Sequence, residues 1–555
     1  MNFVSVNYLI MIPGVRPALL FVFLLSLVQD SFAQKNVPAY RLIHNNDGTD
    51  ALSNIWFDLD KPLTKTDIDN YVDMVAGTQV TTFMMCTGSD FVYYDSEYAR
   101  TFCDDLNGTI TCNSDPETLK SWKRYDTNIK RLREEGTDVI AASLTRAKEK
   151  GMETFITFRM NDLHFADTTK FCALVYPDFW INNPQYWLGD ASQGYHSINA
   201  LDFSHQEVRE YKKKLITEQL GKYPMIDGFD LDFMRFAVFF KGDEGTAKAP
   251  LMTQMMRDIR AKVDSVGKVR GQKILLSVRV PITVEGCMQK GIDIREWVRA
   301  GLVDFISIGA HWPGETATPL AKFKKDLGNK EIPVYGTIDH GGYTPYEAYS
   351  HGMFRGMASH ILEQGDGIHL FNYYFSDYNR INKGRIVLSD SGTTCRFPVP
   401  SMLNELGKTA SLAGRNKIYC ASDGATPAYR VLQVTDLPLG CGRGKRSEAR
   451  IFVGEDMQKS KPEETILFIR TDRKAVFNLE VNGILVRQQQ PHYPARYDRI
   501  IGMNENDQMY AFILPADCVK SGYNQISIMA TSGLFLTTRL EIALKYGDVE
   551  THGYF

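Results

Sequence analysis

Asp230 and Asp232 stand one residue apart in the run Asp227-Gly228-Phe229-Asp230-Leu231-Asp232-Phe233-Met234-Arg235. If this run is a strand, its side chains alternate across it, so the two carboxylates share a face about 7 Å apart. Phe229, Leu231 and Phe233 then take the opposite face. Carboxylates turned into an interior are costly to bury. They need a use in proton transfer or a cationic partner, and Arg235 and Arg279 are candidates for the latter. The structural alternative is a buried ion pair that only fixes the neighbouring strands.

Other polar residues follow short runs rich in β-branched and aromatic residues. Asp47 follows the first run, and Arg159, Asn161, Asp162 and His164 follow the third. Arg279 and Glu285 belong to the fifth, His311 and Trp312 to the sixth, Asp339 and His340 to the seventh, Asn372 and Tyr373 to the eighth. Glycoside cleavage needs one carboxylic acid to protonate the leaving oxygen and a second carboxylate to attack or to activate water. Asp232 with Glu285 or Asp339 supplies such a pair, and these three are the candidate catalytic residues. Asp230, Arg235, Arg159, Asn161, Asp162, His164, Arg279, His311, Trp312, His340, Asn372, Tyr373 and Asp47 are the candidates for holding substrate. His44, His164, His311 and His340 lie on separate runs without HxH or HExxH spacing, so neither a metal centre nor a cofactor is expected. Single histidines here suit hydrogen bonding to sugar hydroxyls.

These residues require a scaffold that brings eight strand ends together. The strand candidates are Tyr40–His44, Val80–Cys86, Glu153–Phe158, Ile226–Asp232, Ile274–Val280, Val303–Gly309, Pro333–Ile338 and Gly367–Asn372. Helical patterns separate them. Ser204-His205-Gln206-Glu207 reads as a capping box before the apolar face of Val208, Tyr211, Leu215, Ile216 and Leu220. Thr344-Pro345-Tyr346-Glu347 repeats the pattern, and Asp293 caps a helix carrying Ile294, Trp297 and Val298. Eight alternating units predict a parallel (β/α)8 TIM barrel over 34–380, with active residues at the C-terminal strand ends. A doubly wound open sheet is the structural alternative, but His44-Asn45-Asn46-Asp47-Gly48 lacks the glycine-rich phosphate loop such a sheet carries. The long connection after the third strand holds Phe165, Tyr176, Phe179, Trp180, Tyr186, Trp187 and Tyr195. Such rings suit the C–H face of a pyranose or, equally, a satellite core beneath the loop.

A connecting segment, 381–445, follows, with a helix candidate from Ser401 to Leu412. Short alternating strands then predict an antiparallel β-sandwich over 446–555, with Asn482-Gly483 as a hairpin signal. At the other end, Ala18 to Val28 is an apolar run behind Arg16 and Pro17, and Ser31-Phe32-Ala33 offers a cleavage site. A signal peptide over 1–33 and a mature start at Gln34 are expected, giving a secreted or periplasmic protein without a membrane span. Apolar residues make up 44% and the net charge is −3, so the chain can bury a large core and carries no nucleic-acid footprint. Of nine cysteines, Cys103 and Cys112 could close a small loop, while Cys86 and Cys287 read as buried thiols. The oligomeric state is not encoded in these patterns.

The segments DGFDLDFMRF, SVRVPITVEGC, GIDIREWVRAGLVDFISIG and DGIHLFNYY resemble the glycosyl-hydrolase-like barrels related to the family 10-like group. That resemblance spans roughly residues 38–375. It implies an exported barrel acting on carbohydrate, often with a C-terminal β-sandwich. DGFDLDF also resembles the DGxDxDxE strand of chitinase-like family 18 enzymes, but Met234 stands where the glutamate would be. The expected function is cleavage of a polysaccharide or its oligosaccharides by paired carboxylates. The alternative is a carbohydrate-binding barrel that does not cleave.

Overall fold

The computed structural model describes residues 40–52, 61–102, 116–168, 176–194, 197–309, 318–328, 331–339, 351–373, 400–422, 435–487, 506–515 and 517–547. Eight parallel strands close into a barrel in sequence order: β1 Arg41–Asn46, β2 Thr82–Cys86, β3 Glu153–Arg159, β4 Gly228–Asp232, β5 Leu275–Val280, β6 Phe305–Ile308, β7 Val334–Asp339 and β8 Gly367–Phe371. Closure is by β1 against β8, with Arg41 opposite Gly367. The eight strands expected from the sequence are the eight observed, each within two residues at either end. The helices among the described residues are α1 Thr49–Leu52, α2 Lys65–Val75, α3 Pro116–Glu134, α4 Val139–Glu149, α5 Asp178–Asn182, α6 Gln206–Lys222, α7 Gly245–Arg270, α8 Val284–Gln289, α9 Ile294–Arg299, α10 Leu320–Leu327, α11 His351–Gln364 and α12 Thr409–Leu412.

The alternation along β4 divides the barrel as its sequence predicts. Phe229, Leu231 and Phe233 are fully buried against the helices, while Asp230 and Asp232 face inward. Lower in the interior, Ile43, Met84, Phe155, Leu275, Phe305 and Tyr335 form a separate apolar floor. Gly228 makes room for it: a Cβ there would lie 2.0 Å from the Phe155 ring. Beneath the floor, Arg41 donates to Glu153 at 2.7 and 3.0 Å and to Tyr335 Oη at 2.9 Å, plugging the N-terminal end.

Helix starts follow capping chemistry, though not always where the sequence pattern places it. Asp293 accepts from the Glu296 N–H at 3.1 Å, as expected. Ser204 does not cap α6. The N-cap is His205, without a side-chain bond, and Ser204 Oγ instead accepts from Lys248 Nζ at 2.7 Å. Asp202 orders that approach by accepting from the Ser204 N–H at 2.8 Å. A complete capping box occurs at Thr64 and Asp67, opening α2. The Thr344–Glu347 pattern, the Cys103–Cys112 pair and the N-terminal apolar run lie outside the described residues. Among the described residues, no helix is long and apolar enough to cross a membrane. Cys86 and Cys287 are buried free thiols, as are Cys441 and Cys518.

The C-terminal strands form two antiparallel sheets. One holds β10 Leu439–Gly442, β17 Leu534–Lys545, β12 Glu464–Thr471 and β15 Gln508–Ile513, with β9 Lys417–Ser422 also paired to β17. The other runs β11 Arg446–Val453, β16 Gly522–Ser532, β13 Val476–Val481 and β14 Ile484–Val486. Asn482 and Gly483, at φ 51° and 83°, form the tight turn between β13 and β14, as their types predict. The stretch expected as one helix from Ser401 to Leu412 is a 3-10 turn, Pro400–Asn404, and the short α12. β9 and β10 arise within 381–445, the stretch expected only to connect.

The first sheet packs on the barrel. Ile418, Cys420, Ile466, Phe468, Ala511 and Ala543 join the same apolar cluster as the barrel helices. Tyr419, Leu467, Ile469, Leu540 and Ile542 point the other way into the sandwich core. Period-two alternation thus lets one sheet serve two cores. At Gly356 of α11 the approach is closest, since a Cβ would lie 2.1 Å from the Ile418 carbonyl oxygen.

Candidate active site

Above the apolar floor the barrel interior turns polar. Asp232 sits between Arg159 on β3 and Arg279 on β5, its register partners on either side. Arg279 donates to Asp232 through Nε at 2.9 Å and Nη2 at 3.0 Å. The N–H groups of Met234 and Arg235 add bonds at 2.8 and 3.2 Å. Burial would raise the Asp232 pKa, but Arg279 outweighs it and holds the carboxyl below its ordinary value. Arg279 and the two backbone N–H groups thus favour the ionised form of Asp232.

Asp230, one step deeper, accepts from Thr157 Oγ1 at 2.8 Å and Ser277 Oγ at 2.7 Å. Burial, then the neighbouring Asp232 charge, raise its pKa, partly offset by the Ser277 hydroxyl, to about 6. The two carboxyls of one strand are thus shifted in opposite directions, because one has an arginine and the other has hydroxyls.

A second chain of charges lines the β1–β3 side. Arg159 pairs with Asp47, donates to Asp162 Oδ2 at 3.0 Å and reaches Asn372 Oδ1 at 3.5 Å. Asp162 meets His164 Nδ1 at 2.5 Å, and Arg235 Nη2 lies 2.7 Å from His164 Nε2. A guanidinium can only donate, so Nε2 accepts and Nδ1–H donates to Asp162, which fixes a neutral tautomer. Burial opposes ionisation of Asp162, yet His164, Arg159 and Arg235 hold its carboxyl well below the usual range. Asn161 has another role: it donates to the carbonyls of Leu201 and Val238 at 3.2 and 2.5 Å, tying the loops after β3 and β4.

The β5–β8 side holds residues that sequence reasoning missed. His369 on β8 is buried and meets Ser307 Oγ of β6 at 3.0 Å. Burial, then Arg279, lower its pKa to about 3. Asp232 and Asp339 also act electrostatically on this ring. The Arg279 guanidinium carbon lies 3.5 Å from the centroid of the Phe371 ring, a close cation–π contact. Thr337 pairs in register with His369. Thr337 stands two residues before Asp339, so continuing the period-two count inward would have found it; His369 stands three before Asn372 and escapes that count.

The other expected residues divide. Asp47, Arg159, Asp162, His164, Asp230, Asp232, Arg235, Arg279 and Asn372 belong to the two linked networks, and Asp339 acts electrostatically on His369. Glu285 does not join them: it is exposed in the first turn of α8 and acts on Lys322 of α10. Tyr373 turns outward and packs edge-on against His44 and Phe354. His44 is likewise a core residue, stacked on Phe83 and bonded to Tyr71 Oη at 3.1 Å. His311, Trp312 and His340 lie outside the described residues.

The aromatic rings after β3 are mostly core. Trp180 stacks on Trp187 at 4.5 Å and Phe179 on Tyr211 at 3.9 Å, while Phe165 packs with Phe91 and Phe102. Tyr176 is buried and Tyr186 stacks on Phe179. Tyr195 lies outside the described residues. These rings wall the barrel flank and do not form the open sugar platform that the sequence also allowed.

No family model and no curated protein matches the chain. Solved structures do. An alpha-L-fucosidase from Paenibacillus thiaminolyticus is 16% identical over 84% of this chain and 87% of that one, with a TM-score of 0.33. A maltogenic alpha-amylase from Thermotoga neapolitana is 10% identical over 89% and 99%, with a TM-score of 0.36. A Paenibacillus cycloisomaltooligosaccharide glucanotransferase is 10% identical over 92% of this chain, which spans 58% of its length, with a TM-score of 0.32. The chemistry is therefore read from the side chains of the barrel mouth.

Proposed function

We propose that this chain is an exported glycoside hydrolase that cleaves a polysaccharide or its oligosaccharides at the C-terminal mouth of the barrel. One observation carries the reading: Asp232 and Asp339 end β4 and β7 of the one closed barrel, and both act electrostatically on the buried His369. Asp232 is kept ionised by Arg279, so it suits the anionic role of stabilising a cationic sugar transition state or orienting water. Asp339, at the end of β7, is the candidate acid. The sequence resemblance to glycosyl-hydrolase-like barrels and the apolar N-terminal run support the substrate class and the export.

A specific observation favours a second reading, a barrel that binds sugar without cleaving it. The oxygens of Asp232 already accept four hydrogen bonds, which leaves little capacity for nucleophilic attack. Incubating the purified protein with a polysaccharide panel and measuring new reducing ends separates the two. Cleavage that falls at least about 10²-fold in Asp339→Asn, with the fold retained, is the expected outcome. Binding without product on every substrate would establish the second reading. Undiminished turnover in Asp339→Asn would remove that residue from catalysis.

A further inference from the structure

Arg235 and His164 meet in a contact that a single proton forbids. Arg235 Nη2 lies 2.7 Å from His164 Nε2, and a guanidinium can only donate, so the contact exists only while Nε2 keeps its lone pair. Adding a proton to Nε2 turns the acceptor into a donor and sets two cations face to face. On the other side of the ring the reverse holds. Nδ1 meets Asp162 Oδ1 at 2.5 Å, and an imidazolium donates to a carboxylate more strongly than a neutral ring does. Burial works against the Asp162 anion, but His164, Arg159 and Arg235 hold its carboxyl well below the usual range, so it stays ionised while the histidine titrates. A proton on His164 thus keeps one neighbour and expels the other.

Solvent protons reach this ring, because the His164 side chain is 38% exposed, whereas Arg235 is buried. The ring is also aimed. The His164 N–H donates to Asp162 Oδ1 at 3.0 Å, and the next residue, Phe165, has φ 64°, a left-handed backbone that a bulky side chain rarely adopts. Packing of the Phe165 ring on Phe91 and Phe102, at 5.4 and 5.3 Å, holds that turn. Charged and titratable groups surround the pair. β3 and its loop bring Arg159 and Asp162, and Asp47 reaches Arg159 from just after β1. β4 brings Asp232, which accepts from the Arg235 N–H at 3.2 Å. Cys86, Asp90 and Tyr93 interact electrostatically with Asp162 from β2 and its loop; burial keeps the thiol and the phenol uncharged, and Asp90 pairs with Lys212 at 2.6 Å. Burial lowers the His164 pKa, Asp162 opposes that and Arg235 adds to it, so the neutral ring prevails at neutrality. We propose that His164 is a proton-operated latch on the loop after β4. The neutral ring holds Arg235 and with it the chain from Phe233 to Phe240. The protonated ring releases the guanidinium and loosens that chain at the barrel mouth. The latch is independent of whether the barrel cleaves sugar or only binds it.

The full chain, carbon-13 labelled at histidine Cε1, is titrated by NMR from about pH 8 to about pH 4.5, and His164→Gln identifies the His164 signal. In Arg235→Met the midpoint of that signal should rise by about one unit, because the opposing cation is gone. Hydrogen exchange of the backbone amides from Phe233 to Phe240, corrected for the intrinsic rate, should be at least about fivefold faster at about pH 4.5 than at about pH 7.5 in the parent. In His164→Gln, whose amide oxygen can accept from Arg235 but takes up no proton, that difference should vanish. If Arg235→Met does not fold, the exchange comparison decides alone. Four results overturn the latch: an unchanged midpoint in Arg235→Met, an imidazole that stays neutral down to about pH 4.5, equal protection at both pH values in the parent, or a pH dependence that survives in His164→Gln.

Discussion

Replacing Asp232 by Asn should damage the fold before it informs on catalysis. Arg279 is fully buried and Asp232 nearly so, at 0% and 1% exposure. Removing one partner of a buried pair leaves an uncompensated charge and costs about 3–5 kcal/mol. The amide oxygen of an introduced Asn can still accept from the Met234 and Arg235 N–H groups, so the lower end, about 3 kcal/mol, is expected. The Phe371 ring under the guanidinium softens the loss but does not replace an anion. The assay is urea unfolding of the parent, Asp232→Asn, Arg279→Met and the double variant. The double variant should recover much of the loss, giving a coupling of about 2–3 kcal/mol. A coupling below about 0.5 kcal/mol would refute the brace. So would an Asp232→Asn protein of parental stability and abolished turnover, which would make Asp232 a reacting group.

Asp230→Asn should behave oppositely with pH. Because the native pKa is raised to about 6, the folded chain holds a proton that the unfolded chain releases from about pH 4, so stability falls as pH rises through that window. The neutral variant should be more stable than the parent at pH 7.5 but not at pH 4, and equal urea midpoints at both pH values would contradict the assignment. Asp138→Ala, which removes the cap on the Ile140 and Ala141 N–H groups and the bond from Tyr223 Oη, should cost about 1–2 kcal/mol in thermal or urea unfolding. Gly356→Ala should force α11 from β9 and make the sandwich more susceptible to limited proteolysis; parental resistance would show that the contact is soft. Truncation after Ser389 should yield a less stable, less soluble barrel because it uncovers the face packed by Ile418, Ile466 and Phe468, and a barrel of parental stability would show that the cores are independent.

The barrel was legible because its strands are short apolar runs, and β4 was legible down to which residues face inward. Pairing was harder to read. Arg279 stands 47 residues beyond Asp232, and only closure of adjacent strands makes them neighbours. Glu285 misled for the same reason. It follows β5 in sequence, yet α8 begins at Val284 and carries it to the surface. The rings after β3 misled because composition does not say whether a tryptophan faces solvent or another tryptophan. His369 escaped because a buried strand histidine looks like core until its neighbours are known.

The polar interior has a consistent electrostatic logic. Arg159 and Arg279 flank one carboxylate row, and each is spent on holding an aspartate ionised. Asp230, without an arginine, retains a proton more readily. His369 is held neutral by burial and by Arg279. Every group in this tier therefore has a protonation state set by its neighbours rather than by solvent. Such a tier costs little to reorganise when a charge appears beside it, which is the property electrostatic stabilisation requires. It also limits which residue can move a proton. Under the proposed hydrolase reading, Asp232 is held toward the anion and Asp230 lies beneath it, so that reading assigns proton donation to a group nearer the end of its strand. Asp339, at the end of β7 and 6% exposed, acts electrostatically on His369 and is the candidate that reading assigns.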